Sequence, residues 1–148
     1  MTLIDYFTGD HRSCDEAWAE VERLVDDGQD AAARVTWARF RDQMERHFTM
    51  EETVLFPAFE QATGMSGGPT AMMRMEHEQM RGLLAQMDTA ATGGDLESVV
   101  DLGDTLLMII QQHNMKEEGM LYPMCDAHVG GSWDSLHELC EAVGPKPA

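Results

Sequence analysis

Two stretches of this chain carry the residues best suited to chemistry: RHFTMEETVLFP at 46–57 and QHNMKEEGMLYP at 112–123. Each sets an imidazole four residues before a carboxylate, His47 with Glu51 and His113 with Glu117, and adds a second acid, Glu52 or Glu118, directly after. On an α-helix, residues four apart share a face, with Cβ atoms about 5–6 Å from each other. Each stretch therefore presents a nitrogen donor and an oxygen donor side by side. The faces that carry them are otherwise apolar: Phe40, Met44, His47, Glu51, Leu55 in one, and Leu106, Ile110, His113, Glu117, Leu121 in the other. A carboxylate on such a face needs a partner, because an unpaired buried charge is costly. No lysine or arginine falls on either stripe, so a metal cation is the economical partner.

The two stretches belong to a longer repeat. An offset of 66 (113 − 47) also maps His11 onto His77, Asp10 onto Glu76, Phe56 onto Tyr122 and Pro57 onto Pro123. His11 precedes His47 by 36 positions (47 − 11), and His77 precedes His113 by the same number. Both earlier histidines sit on apolar stripes of their own: Phe7, His11, Cys14, Trp18, Val21, and Met73, His77, Met80, Leu84, Met87. Four imidazoles and two carboxylates are thus expected to face one interior. Two carboxylates from opposite helices can bridge a pair of metal ions about 3.5–4 Å apart. Mixed nitrogen and oxygen donors with room for further bonds suit iron or manganese, whereas structural zinc favours a closed tetrahedral set.

Taken singly, these signals are ordinary. One histidine on an apolar face is usually a hydrogen-bonded core residue, and one HxxxE is a common surface pair. The doubled set at matched spacing is what points to metal. Glu52 and Glu118 lie about 100° around the helix from Glu51 and Glu117, as hydrogen-bond partners of the donors or as surface acids. Asp10, Glu76 and Glu78 flank the other histidines in the same way. Cys14 is read as a small core residue. Met72, Met73, Met75, Met80 and Met87 are read as core packing, with a thioether copper site as the alternative. His128 and His137 are assigned structural or surface roles.

Glycines punctuate the elements that must position these groups. Helices are expected over 10–27, closed by Gly28; over 30–62, ending at Gly64; from Pro69 to about 91; and over 96–128. Ser132 is expected to cap a short fifth helix ending at Gly144, with PKPA as a tail. Pro57 and Pro123 fall inside expected helices and predict kinked continuations. The result is an all-α, antiparallel four-helix bundle with a short C-terminal helix, whose Trp133, Leu136 and Leu139 cap it.

Composition narrows the function classes. The 148 residues fit one domain, 1–148, and 43% hydrophobic residues argue against disorder. Ten basic against 27 acidic residues give a charge of −17, which excludes nucleic acid and anionic membrane surfaces as partners. Three cysteines, none in a CxxC, and a start without a signal sequence predict a cytoplasmic protein.

DH at 10–11, HFTMEETVLFP at 47–57, EHEQM at 76–80 and HNMKEEGMLYP at 113–123 resemble the hemerythrin-like, or HHE cation-binding, domains. The resemblance covers roughly residues 3–128. It implies an up-down-up-down bundle around a non-haem di-iron centre, held by His11, His47, Glu51, His77, His113 and Glu117 with the two glutamates bridging. Manganese or zinc are possible substitutes for the two iron ions. Oxygen-carrying hemerythrins have a further histidine where this chain has Met73, and an aspartate five residues after the fourth-helix histidine, where this chain has Glu118. A lost nitrogen ligand leaves a position for water, a carboxylate or a small ligand. The resemblance thus implies a binding or sensing protein for O2 or a related small oxidant, as monomer or homodimer, with no catalytic residue assigned. The alternatives are an enzyme turning over peroxide, nitric oxide or ferrous iron, and an iron sensor or buffer. The ferritin-like di-iron class requires paired ExxH motifs, which this chain lacks.

Overall fold

Thr2 starts the first helix. Its hydroxyl oxygen accepts the Asp5 N–H, and the Asp5 carboxylate accepts the Thr2 N–H, each at 3.1 Å, a reciprocal capping box. In the computed structural model, which describes residues 1–144, α1 therefore spans Leu3–Asp26. It begins seven residues (10 − 3) before the expected start. Leu3 and Phe7 are fully buried, and Leu3 prolongs the expected apolar stripe by one turn. The expected PKPA tail lies outside the described residues.

The remaining elements are α2 (Asp30–Met50), α3 (Phe56–Thr63), α4 (Pro69–Thr92), α5 (Leu96–Lys116), α6 (Tyr122–Val129) and α7 (Trp133–Glu141). The expected helices over 30–62 and 96–128 are each interrupted by a five-residue π-turn, Glu51–Leu55 and Glu117–Leu121. In the first, the Phe56 N–H donates to the Glu51 carbonyl five residues back. Pro57, next in line, has no N–H for the Glu52 carbonyl, which instead accepts from Arg74 Nη1 at 3.1 Å. Proline is tolerated there because it falls in the first turn of α3, where its ring obstructs no preceding helical bond. Pro123 occupies the same place in α6.

Packed pairs α1/α2 and α4/α5 form two hairpins, which join through α1 against α5 and α2 against α4. The product is the expected all-α bundle, with no strand among the described residues. All four expected stripes are buried. One apolar cluster, built around Trp18, Trp37, Phe40, Leu84 and Leu106, fills one end of the bundle. A second, around Phe7, Phe56, Phe59, Leu121 and Trp133, fills the other. No helix among the described residues is long and apolar enough to cross a membrane.

Three local expectations need correction. Ser132 makes no side-chain cap; it ends a 3₁₀ turn, Gly130–Ser132, that leads into α7, and α7 stops at Glu141. Met72 and Met75 are exposed, leaving Met73, Met80 and Met87 as the core methionines of α4. Leu139 also faces outward, while Trp133 is buried and Leu136 packs against the second cluster. Arg46 ties α7 to the bundle through bonds to the carbonyls of Val143 (2.9 Å) and Cys140 (3.0 Å).

Gly103 marks a close approach between the hairpins. A Cβ there would lie 2.0 Å from Cζ2 of the buried Trp18 indole. Replacing it with alanine is expected to destabilise the fold by about 1–3 kcal/mol through overpacking. That loss outweighs the roughly 1 kcal/mol that alanine gains as a helix former. Urea titration of Gly103→Ala checks this; an unchanged midpoint would show that Trp18 can move aside freely.

Candidate metal centre

Between the two apolar clusters lies a polar layer. His11 from α1, His47 from α2, His77 from α4 and His113 from α5 are all buried there, as are Glu51 and Glu117, which begin the two π-turns. Two groups of converging donors result. Glu51, His77, His113 and Glu117 form one; His11, His47 and Glu117 form the other. Within each group the donor atoms lie within 4.8 Å of one another, and Glu117 belongs to both. All six sequence-predicted site residues are thus brought together.

Each imidazole is held from behind by a carboxylate. Nδ1 of His11 meets Glu118 at 2.7 Å, Nδ1 of His47 meets Asp10 at 2.7 Å, Nδ1 of His77 meets Glu52 at 2.7 Å, and Nδ1 of His113 meets Glu76 at 2.8 Å. A carboxylate has no proton to give, so each Nδ1–H donates, and every Nε2 is turned inward. The four acids form a ring: Asp10 on α1 orients the imidazole of α2, Glu52 in the first π-turn that of α4, Glu76 on α4 that of α5, and Glu118 in the second π-turn that of α1. Of the flanking acids considered from sequence, only Glu78 stays out; it is exposed and pairs with Arg81 at 2.6 Å. Arg81 also grips Glu52, Arg12 grips Glu118, and Lys116 grips Glu76.

The inward atoms satisfy one another only in part: His11 Nε2 meets Glu117 Oε1 at 3.0 Å, but others are left over. His77 Nε2 approaches Glu51 Oε1 at 3.0 Å, and His113 Nε2 approaches Glu117 Oε1 at 3.2 Å. Yet His77 Nε2, His113 Nε2, Glu51 Oε1 and Glu117 Oε2 are buried without a hydrogen-bond partner. Native interiors rarely leave four such atoms in one place. They are aimed at common points rather than at each other, which is what donors around a cation do. The residues present therefore fit a metal ion.

Charge in the metal-free protein tells the same story. Burial works to lower the His47 imidazole, but the Glu51 charge and its bonds to Asp10, Glu117 and Glu51 leave it well above its ordinary value. His77 is likewise opposed by burial and pushed up to about 9 by Glu51 and Glu52. Burial would raise the Glu117 carboxyl, yet Glu51 and the imidazoles of His11, His113 and His47 hold it well below the carboxylate range. The layer demands positive charge, and without metal only protons supply it. An imidazole raised on folding contributes its stability in full below the unfolded value of about 6.5 and loses it as pH rises through the folded value. For His77 that window runs from about 6.5 to about 9. Chelator-treated protein is therefore expected to melt at a lower temperature near pH 10 than near pH 6; a flat profile would contradict the pairing.

One residue of the layer escaped sequence reasoning. Tyr122 is fully buried, and its hydroxyl donates to Glu51 Oε2 at 2.7 Å. The same oxygen lies 3.0 Å from Glu117 Oε1, 3.1 Å from His11 Nε2 and 3.4 Å from His47 Nε2. Its repeat counterpart Phe56 instead stacks on His77, with ring centroids 5.8 Å apart. Phe48 covers the other flank of His77 at 4.4 Å. Beside the layer is a small apolar cavity of about 10 Å³, lined in part by Cys14, Met44, Phe48, Met80 and Ile110. That is room for about one water-sized molecule. Cys14 is a buried free thiol in its wall, as a small core residue would be. His128 packs edge-on against Phe59, and His137 against Tyr6 and Trp133, both in structural roles.

The family model described as the hemerythrin HHE cation binding domain matches residues 2–125. No match was found among curated proteins or among solved structures.

Proposed function

Because the chain belongs to the hemerythrin HHE cation binding domain family, we propose that it is a non-haem di-iron protein that binds O2 or a related small oxidant. His11, His47, Glu51, His77, His113 and Glu117 are the proposed ligands, with Glu117 and Glu51 spanning the two positions. The observation that carries this reading is the orientation of the four imidazoles. Every Nδ1 is committed to an outer carboxylate, so every Nε2 turns inward, and His77 Nε2, His113 Nε2, Glu51 Oε1 and Glu117 Oε2 are buried there without a hydrogen-bond partner.

Iron, when bound, supplies a pair of redox-active ions that can exchange electrons with a small oxidant. The chain's own groups set the conditions for this. Asp10, Glu52, Glu76 and Glu118 fix ring orientation and raise the basicity of each Nε2. Phe48, Met44 and Ile110 exclude bulk water and leave an apolar cavity with space for a small uncharged molecule but none for a substrate of metabolite size. Among the described residues the one buried arginine, Arg46, is turned to the carbonyls of Val143 and Cys140, so an anionic substrate would meet no guanidinium or ammonium group in the layer.

The test is to load metal-free protein with ferrous iron in the absence of oxygen, count the iron bound, then admit oxygen and record the visible spectrum. Two irons per chain and an oxygen-dependent band are expected. Iron uptake with a spectrum indifferent to oxygen would remove the oxygen-binding role and leave metal binding. Failure to take up iron would remove both.

A further inference from the structure

The repeat that builds the metal layer is broken at one place that matters: Phe56 on one side, Tyr122 on the other. We propose that the Tyr122 phenol oxygen is itself a metal ligand, completing the position formed by His11, His47 and Glu117. The proposal rests on the metal-binding reading above and goes beyond its six ligands.

Three observations carry it. First, of the two donor groups, the one with Glu51, His77, His113 and Glu117 has four members and the other only three. Tyr122 reaches all three members of the smaller group, whereas of the larger one it meets Glu51 and the shared Glu117 but neither imidazole. Second, its oxygen sits 3.0, 3.1 and 3.4 Å from Glu117 Oε1, His11 Nε2 and His47 Nε2. Nitrogen and oxygen ligands lie about 2.0–2.2 Å from a divalent ion such as zinc, so neighbouring ligands at right angles are about 3 Å apart. The phenol oxygen is spaced from the other three as a fellow ligand would be. Third, a hydroxyl has one proton, and here Glu51 Oε2 takes it at 2.7 Å. That leaves Glu117 Oε1, a carboxylate oxygen with no proton to give, 3.0 Å from the same phenol oxygen, and a shared cation would hold the two together.

On binding a ferric ion, the phenol O–H bond breaks, an iron–oxygen bond forms, and the proton leaves by way of Glu51 to solvent. Iron keeps its oxidation state in this exchange. The result is two unlike metal positions, one bearing a hard anionic phenolate and one bounded by the rings of Phe48 and Phe56. The phenolate would hold its ion in the ferric state more firmly than imidazole does.

Phenolate bound to iron(III) gives a charge-transfer band in the visible. Excitation into that band enhances tyrosinate ring vibrations in the Raman spectrum, a readout independent of any activity. The experiment is to load the full chain with ferrous iron, oxidise it in air, and record both. Wild-type protein is expected to show the band and the ring modes. Tyr122→Phe is expected to lose both while still binding two irons, because phenylalanine already occupies the equivalent place at 56. The chain has only one other tyrosine, Tyr6, whose hydroxyl meets Glu141 at 2.9 Å. Tyr6→Phe should therefore keep the band, which assigns it to Tyr122 even if the Tyr122 variant folds poorly. Iron-loaded wild-type protein without tyrosinate modes, or a band that survives in Tyr122→Phe, overturns the proposal while leaving the di-iron reading in place. A protein that binds no iron sinks both.

Discussion

Glu117→Gln is expected to lose both metal ions together. Glu117 is the one residue common to the two donor groups, it is fully buried, and its oxygens lie 3.0 Å from His11 Nε2 and 3.2 Å from His113 Nε2. Glutamine preserves the shape and removes the charge, so the change probes the anion and not the packing. Removing a group that merely orients a ligand typically weakens metal affinity 10–100-fold. Loss of a buried anion shared by two ions is expected to exceed about 100-fold at each. Glu118→Gln, whose side chain meets the outer nitrogen of His11 and the Arg12 guanidinium but no inward atom, should stay within that 10–100-fold range and act on one position. Chelator competition on the two variants gives the comparison. If Glu117→Gln holds both ions within about tenfold of wild type, the shared-carboxylate arrangement is wrong.

Metal removal should lower the melting temperature substantially. A ligand that binds only the folded state, at about 1,000 times its dissociation constant, adds about 4.1 kcal/mol. For a chain of this size each kcal/mol moves the midpoint by about 2–4 °C, so chelation is expected to lower it by roughly 8–16 °C. Here the effect has a second source: stripping the cation leaves buried Glu51 and Glu117 to be balanced by protons alone. Calorimetry of iron-loaded and chelator-treated samples near neutral pH measures the shift. Equal midpoints would mean that the layer is held by its hydrogen bonds and gains nothing from an ion.

Much of this was written in the spacing. The four stripes, the burial of His11, His47, His77 and His113, and the meeting of Glu51 with Glu117 all follow from a helical period applied to a 66-residue repeat. What escaped was tied to departures from that period. In a regular α-helix Glu117 and Tyr122, five residues apart, point about 140° from each other. The π-turn Glu117–Leu121 absorbs one extra residue, so the two side chains turn to the same interior and meet at 3.0 Å. The sign available in the sequence was the Phe56/Tyr122 mismatch, together with a proline after each. The early start of α1 was hidden for another reason: Thr2 and Asp5 form a capping box at the very start of the chain, before the first histidine of the repeat. The pairing of acids with histidines was likewise beyond reach, since Asp10 serves His47 rather than the adjacent His11. That choice depends on how the helices sit side by side.

The same pairing has a bearing on how the bundle tolerates change. Within each hairpin one acid serves its own partner helix, Asp10 for His47 and Glu76 for His113, while Glu52 and Glu118 reach across to the opposite hairpin. Neither half can aim all of its own nitrogens. Alignment is therefore a joint property of the two halves, and a loop alteration that tilts one of them would misdirect rings on both sides of the seam at once.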